Sequence, residues 1–275
     1  MTQTPDLHEI ELSLFLEGFY QYFGEDFRGY ERAPLRQKIQ EWMTAEAIHT
    51  ISGLQERVLH DATAARAFSQ TLMAPATGLF QNHPKFHALM DVLTASLRSY
   101  AAPNIWIVDC ACTEEVFSLA ILISEVGIYD KTKIYVTAAN ADILQKIEQA
   151  NFPAQRWEEY KINYRNAGGK GHLSDYCTER DGQFWFAESL KRNIVWSQYS
   201  LVTDRSFNEF QLIYCNTSLA HFGPALRARA FALFNDSLSI FGTLSLEKNR
   251  HYDDLTFFAS YEAISHMHGL YKKIG

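Results

Sequence analysis

The chain has 275 residues, of which 47% are hydrophobic, 21% charged and 14% aromatic, with a formal net charge of -7. That profile describes a folded protein with room for one large core or two smaller ones, and it excludes a disordered chain. Negative charge is spread along the sequence with no concentrated basic footprint, so nucleic acid is not expected as a partner. The longest strongly apolar run, Phe117 to Val126, is too short to span a bilayer, and the first residues lack an apolar secretory core. Four cysteines, Cys110, Cys112, Cys177 and Cys215, do not make a disulfide framework. A cytoplasmic protein, not integral to a membrane, is expected.

The opening hundred residues read as helices. Leu7, Ile10, Leu14 and Phe15 mark an apolar stripe running on towards Phe19 and Phe23. The stretch from Gly24 to Tyr30 breaks it, and Pro34 starts a second helix carrying Leu35, Ile39, Trp42 and Met43. Shorter helices are expected over Ser52–His60 and Ala62–Met73. Residues 1–75 therefore form a helical domain. Residues 76–103 are a linker and a long helix from about Lys85 to Tyr100, the stretch from Pro75 to Pro84 carrying Gly78 and two prolines.

From residue 104 the rhythm changes to strands alternating with helices, the pattern of a parallel sheet with helices on its faces. Ile105–Val108 and Lys133–Thr137 read as strands, and Ser118–Val126 and Asp142–Ala150 as helices. The rhythm breaks between about 153 and 191. It returns with strands at Asn193–Trp196 and Phe210–Cys215, a helix over Pro224–Leu238 and a strand over Ser239–Leu246. An antiparallel pair, Leu255–Tyr261 with His268–Lys272, closes the chain.

Five segments carry a resemblance. They are Tyr22–Tyr30 (YFGEDFRGY), Trp106–Ala120 (WIVDCACTEEVFSLA), Ile134–Leu144 (IYVTAANADIL), Asn208–Phe222 (NEFQLIYCNTSLAHF) and the final Leu270–Lys273 (LYKK). In this order they resemble the chemotaxis-receptor protein-glutamate O-methyltransferases, the CheR type. The resemblance implies an N-terminal all-helical domain joined to a Rossmann-like methyltransferase domain spanning 104–275. A small antiparallel β subdomain would be inserted at about 153–191. It also implies S-adenosylmethionine as methyl donor and a glutamate on a receptor's cytoplasmic helices as acceptor. Such a transfer needs mainly that the two reactants be held in line.

The same resemblance places the cofactor pocket at Pro75, Thr77, Gln81, Asp109, Thr113, Glu114, Glu115, Ala138, Asn140, Ser200, Leu201, Asn216, Thr217 and His221. Several depart from the family pattern. Asp109 and Thr113 stand where glycines are usual in the turn after the first parallel strand, and Asp109 brings a negative charge towards the methionyl carboxylate. Ala138 replaces the acid that accepts from both ribose hydroxyls, and Asn140 replaces the second acid of that motif. Gln81 replaces an arginine over the transfer centre and cannot supply its cation or its fork. Asn216-Thr217 replaces Arg-Asn, Ser200-Leu201 replaces Asn-Leu, and His221 replaces Tyr. These losses fall on one pocket while scaffold positions persist.

The expectation is a regulatory or protein-interaction module on a methyltransferase scaffold, with no cofactor held at useful strength, partnered by a receptor, kinase or response regulator of a bacterial signalling pathway. Two alternatives stand beside it. One is an active enzyme binding S-adenosylmethionine. The other is a pocket re-lined by Asp109, Asn140, Asn216, Thr217 and His221 for a different small ligand. No metal is expected: Cys110-x-Cys112 lacks partners at zinc spacing, and His266-x-His268, placed in a strand, lacks a third ligand. The run Ala167–Gly171 (AGGKG) lacks P-loop order and reads as a turn. The aromatic insertion serves either its own small core or a protein-binding face.

Overall fold

The computed structural model describes residues 6–72, 77–216, 218–247 and 256–275. The chain divides into two compact units, residues 1–74 with 218–229, and residues 75–217 with 230–275.

The first unit is helical. Helix α1 (Leu7–Phe23) starts at Asp6, whose carboxylate accepts the His8 N–H, and ends at Gly24 with φ +75°. It buries Leu12, Phe15, Leu16 and Phe19, and leaves Leu7 and Leu14 outside at 67% and 60% exposure. This corrects the expected stripe. Phe15 and Phe19 of that stripe are buried as expected, but Leu12 and Leu16 share their face in place of Leu7, Ile10 and Leu14. Phe15 and Phe19 carry the larger apolar area and set which side turns inward. Phe68 of α4 (Ala62–Leu72) is the hub: the rings of Phe15, Phe19 and Trp42 lie 5.2, 5.7 and 5.4 Å from its own. Trp42 belongs to α2 (Arg32–Ala45), which buries Leu35, Ile39 and Met43 beside it. Thr50 caps α3 (Ile51–His60) by accepting the Gly53 N–H at 3.0 Å. Met73, the expected end of α4, lies outside the described residues.

The second unit is built on a seven-stranded sheet of order β6-β2-β1-β7-β8-β10-β9. Its strands are β1 (Asn104–Ile107), β2 (Lys133–Ala138), β6 (Ile194–Gln198), β7 (Phe210–Cys215), β8 (Leu238–Leu246), β9 (Tyr261–Ser265) and β10 (Leu270–Lys273). The first five in spatial order pair in parallel, and β10 runs antiparallel to both β8 and β9. Crossovers are helical: α6 (Thr113–Glu125) follows β1, α7 (Ala141–Glu148) follows β2, and α9 (Pro224–Ser237) precedes β8. β7 is buried at every residue, as a central parallel strand must be. This is the Rossmann-like methyltransferase fold, and its strand order reverses between β1 and β7.

The break in rhythm holds a three-stranded antiparallel sheet, β3 (Asn151–Pro153), β5 (Gln183–Phe186) and β4 (Cys177–Arg180), and a helix, α8 (Trp157–Asn166). Its aromatic residues mostly make a core. Phe152, Tyr160, Tyr164, Phe184 and Phe186 are buried, and Trp157 stacks on Phe184 at 4.0 Å. The glycine-rich turn wraps a carboxylate of the protein itself. Glu125 of α6 accepts the Lys170 N–H at 2.8 Å and the hydroxyls of Tyr164 and Tyr176, and Tyr164 in turn accepts the Gly171 N–H at 3.0 Å.

Other boundaries shift for local reasons. Helix α6 begins at Thr113, five residues before the expected Ser118, because Glu114 and Glu115 suit its first turn. The expected long helix ends early: α5 (His83–Ala95) gives way to a single 3-10 turn at Leu97–Ser99. His266–His268 is a 3-10 turn closed by Gly269 at φ +65°, not a strand. The closing antiparallel pair is β9 with β10, and Leu255 lies outside the described residues. All four cysteines are free and buried, and no metal-ligating group of three occurs among the described residues. No described helix is long and apolar enough to cross a membrane.

Candidate functional site

In an open parallel sheet, ligands bind beyond the carboxyl ends of the strands where the order reverses, because diverging loops leave a crevice there. A cavity of about 300 Å³ lies at that end of the second unit. β7 supplies Tyr214 and the following Asn216, the end of β8 supplies Glu247, and α6 supplies Glu115 and Ser118. The segment leading into α5 closes it with Thr77, Gly78, Gln81, Asn82, Pro84 and Phe86.

That segment is held in a defined shape. Phe80 is fully buried at φ +51°, and its N–H donates to Ser118 Oγ at 2.9 Å. Gln81 folds back so that its Oε1 accepts the Gly78 N–H at 2.6 Å. Thr77 lies against the turn after β1, its Oγ1 3.5 Å from Cys112 Sγ.

Behind the lining is a buried cation that the sequence reading missed. Lys85, fully buried, donates to Asn216 Oδ1 at 2.8 Å and to the Leu246 carbonyl at 2.6 Å, with its ammonium 5.2 Å from the Tyr214 ring. Burial pushes its pKa down to about 8, against the opposing pull of Glu115, Cys215 and Glu247. Burial pushes Glu115 up to about 7, opposed by the Cys110 thiol that donates to Oε2 at 3.5 Å and by Lys85, and reinforced by Asp109. Oε1 of Glu115 is buried with no hydrogen-bond partner among the described residues. A signal for Lys85 did exist. It shares the face of α5 that buries Phe86, Leu89, Val92 and Leu93, where a charge is out of place.

Of the fourteen residues singled out in the sequence, Thr77, Gln81, Glu115 and Asn216 line this cavity. Asp109 sits in the turn after β1 at φ +48°, the left-handed conformation that favours glycine and that aspartate tolerates. Thr113 opens α6, and Glu114 accepts the Tyr160 hydroxyl at 2.7 Å. Ala138 ends β2, fully buried, and its carbonyl accepts the Tyr199 N–H at 3.0 Å. Asn140 caps α7 by accepting the Ile143 N–H at 2.9 Å. Ser200 Oγ accepts the Val202 N–H at 3.2 Å, and Leu201 is buried. His221 belongs to the first unit, where its carbonyl accepts the Glu31 N–H at 2.8 Å and burial, aided by Lys38, lowers its pKa. Pro75 and Thr217 lie outside the described residues. Of the polar set expected to re-line the pocket for another ligand, Asn216 alone among the described residues does so.

A Rossmann-like sheet with an antiparallel β10 and a crevice at its reversal point defines a methyltransferase-type protein. Residues 76–256 match the family described as CheR methyltransferase, SAM binding domain. The chain is similar to a candidate methyltransferase of Pseudomonas putida, Cher3, at 33% identity over 96% of this chain and 97% of that protein. It is similar to the chemotaxis protein methyltransferase of Listeria monocytogenes at 23% identity, over 83% of this chain and 88% of that one. The solved N-methyltransferase NodS of Bradyrhizobium japonicum, in complex with S-adenosyl-L-homocysteine, matches at 13% identity and a TM-score of 0.33, over 71% of this chain and 70% of that one. The chain belongs to the CheR methyltransferase family.

Proposed function

We propose that this protein is a cytoplasmic CheR-family module of a bacterial signalling pathway that holds S-adenosylmethionine weakly or not at all and acts through protein contacts. Its partner would be a receptor, kinase or response regulator, in keeping with the chemotaxis name of its Listeria relative. The observation that carries this reading is the end of β2. Ala138 presents no acceptor to a ribose, and Asn140 beside it spends its side chain on capping α7. Losing a charged acceptor costs about 1.5–3 kcal/mol, or roughly one to two decades of affinity. Gln81, turned onto Gly78, and Asp109, a negative charge near Glu115, add to the deficit.

Titration calorimetry with S-adenosylmethionine and S-adenosylhomocysteine tests this. No heat is expected at ligand concentrations of about 1 mM. The double variant Asp109→Gly, Ala138→Asp should recover binding by at least roughly tenfold over the parent. A dissociation constant in the low micromolar range for the unaltered protein would overturn the reading. It would instead favour the second one, an active protein-glutamate O-methyltransferase, for which the intact cavity with Thr77 and Glu115 speaks.

A further inference from the structure

We infer that the open face at the antiparallel end of the seven-stranded sheet is a self-association surface, its partner a second copy of this chain. The inference does not depend on the cofactor reading above, and tight S-adenosylmethionine binding would leave it standing.

A strained residue marks the place. Between Leu238 and Thr243 β8 advances five residues while β7 advances two, from Phe210 to Leu212, so the strand bulges. Phe241 sits on this bulge at φ +66°, a conformation that is costly for any residue with a Cβ and rare for a bulky one. The bulge is not a loose tip. Gly242 closes it so tightly that an added Cβ would lie 2.9 Å from the Ser239 carbonyl oxygen. Yet the ring gains little there in the isolated chain, because Phe241 is 58% exposed and Ile240 beside it 49%. Backbone strain under an exposed aromatic ring is offset when a protein interface buries that ring.

The neighbours of Phe241 define a face. In β10, Tyr271 and Lys273 turn towards α9. The Tyr271 ring lies 4.5 Å from that of Phe258, itself 5.9 Å from Phe231 of α9, and Lys273 donates to the Asn235 and Leu238 carbonyls. Side chains alternate along a strand, so Lys272 and Ile274 turn the opposite way. Glu262 of β9 is the direct cross-strand partner of Lys272 and shares that side. The Lys272 ammonium lies 5.2 Å from the centre of the Phe241 ring, which brings the bulge onto the same face. Ile274 is half exposed there, and Glu262 is exposed.

Charge chooses the occupant. The whole chain carries -7, so two copies repel except where a surface is locally neutral. This face holds one carboxylate and one ammonium beside its apolar residues, and a strongly charged partner finds no excess of opposite charge on it. A copy related by a two-fold axis does match. Each Glu262 then meets the partner's Lys272, and the two Phe241 rings are buried between these pairs, as a self-complementary interface requires. The patch is at the low end of specific interfaces, so the dimer should be weak, with a dissociation constant on the order of 10 µM.

Sedimentation of the full chain between about 1 and 200 µM should show monomer passing to dimer. Phe241→Gly should weaken association by roughly tenfold or more, while the variant melts no lower than the parent, because glycine is at ease at φ +66°. A lower melting temperature with association unchanged would assign the ring to the fold and overturn the inference. Glu262→Lys and Lys272→Glu should each stay monomeric alone, and an equimolar mixture of the two should restore the dimer, since two lysines then face two glutamates. That rescue acts between chains, so neither fold can account for it. A parent chain still monomeric at about 200 µM, or a mixture no more associated than its components, would also overturn the inference.

Discussion

Replacing Lys85 with methionine should lower the stability of the second unit by about 3 kcal/mol at neutral pH, and by more in alkali. The side chain is fully buried, and two acceptors, Asn216 Oδ1 and the Leu246 carbonyl, depend on its ammonium. Methionine fills similar space but donates nothing, so the buried Leu246 carbonyl is stranded at a cost of about 1–3 kcal/mol, while part-exposed Asn216 can turn to water in the cavity. Release of a desolvated charge returns part of that. Glu115 loses an attraction that lowers its pKa, so its carboxyl moves further up. The pH dependence has a definite sign. Burial lowers Lys85 from 10.5 to about 8, so its contribution is fully present above 10.5 and is lost as pH falls through about 8. The variant lacks that gain, and the gap between the two proteins should widen between pH 8 and 10.5. Urea melts at pH 7 and pH 10 measure it. A variant as stable as the parent at both would show that neither acceptor relies on Lys85.

Gly169→Ala is expected to cost about 3 kcal/mol, most of it through one tyrosine. A Cβ at this position would lie 2.3 Å from two ring atoms of Tyr164, far inside any tolerable contact. Tyr164 cannot simply swing away. Its ring is buried, 5.6 Å from that of Phe80, and its hydroxyl both donates to Glu125 and accepts the Gly171 N–H. Displacing it therefore breaks the contacts by which the inserted segment is fastened to α6. Gly182→Ala is the matched comparison. That glycine has φ +74° but nothing within 4 Å of the added carbon, so only backbone strain of about 1–2 kcal/mol is expected. Thermal unfolding of both variants should therefore separate them clearly. Equal losses would mean that Tyr164 and the glycine-rich turn yield without cost.

These two sites mark what sequence reading reaches and what it misses. The order of elements was legible, because each strand of the parallel sheet is a short buried run and each crossover an apolar-faced helix. Ile105–Val108, Lys133–Thr137 and Phe210–Cys215 fall within a residue of β1, β2 and β7. Family membership was legible too, since scaffold residues such as Leu212, Cys215 and Phe222 stay in register. Thr77, Gln81, Glu115 and Asn216, singled out in the sequence, are brought by the fold to one cavity.

Other features required the folded chain. Which face of α1 turns inward could not be decided from periodicity, since two sets of apolar residues shared the spacing and Phe68, distant in sequence, chose between them. The placement of His221 in the helical unit also depended on contacts remote in sequence, with Glu31. Lys85 and Glu247 became site residues only when α5 and the end of β8 met around Asn216. The burial of Lys85, and the pKa shift it causes, comes from neighbours more than a hundred residues away in the chain. Local pattern determines elements and ancestry because both are written in adjacent residues. Charge state and cavity lining depend on what packs against a side chain, and only the tertiary structure decides that.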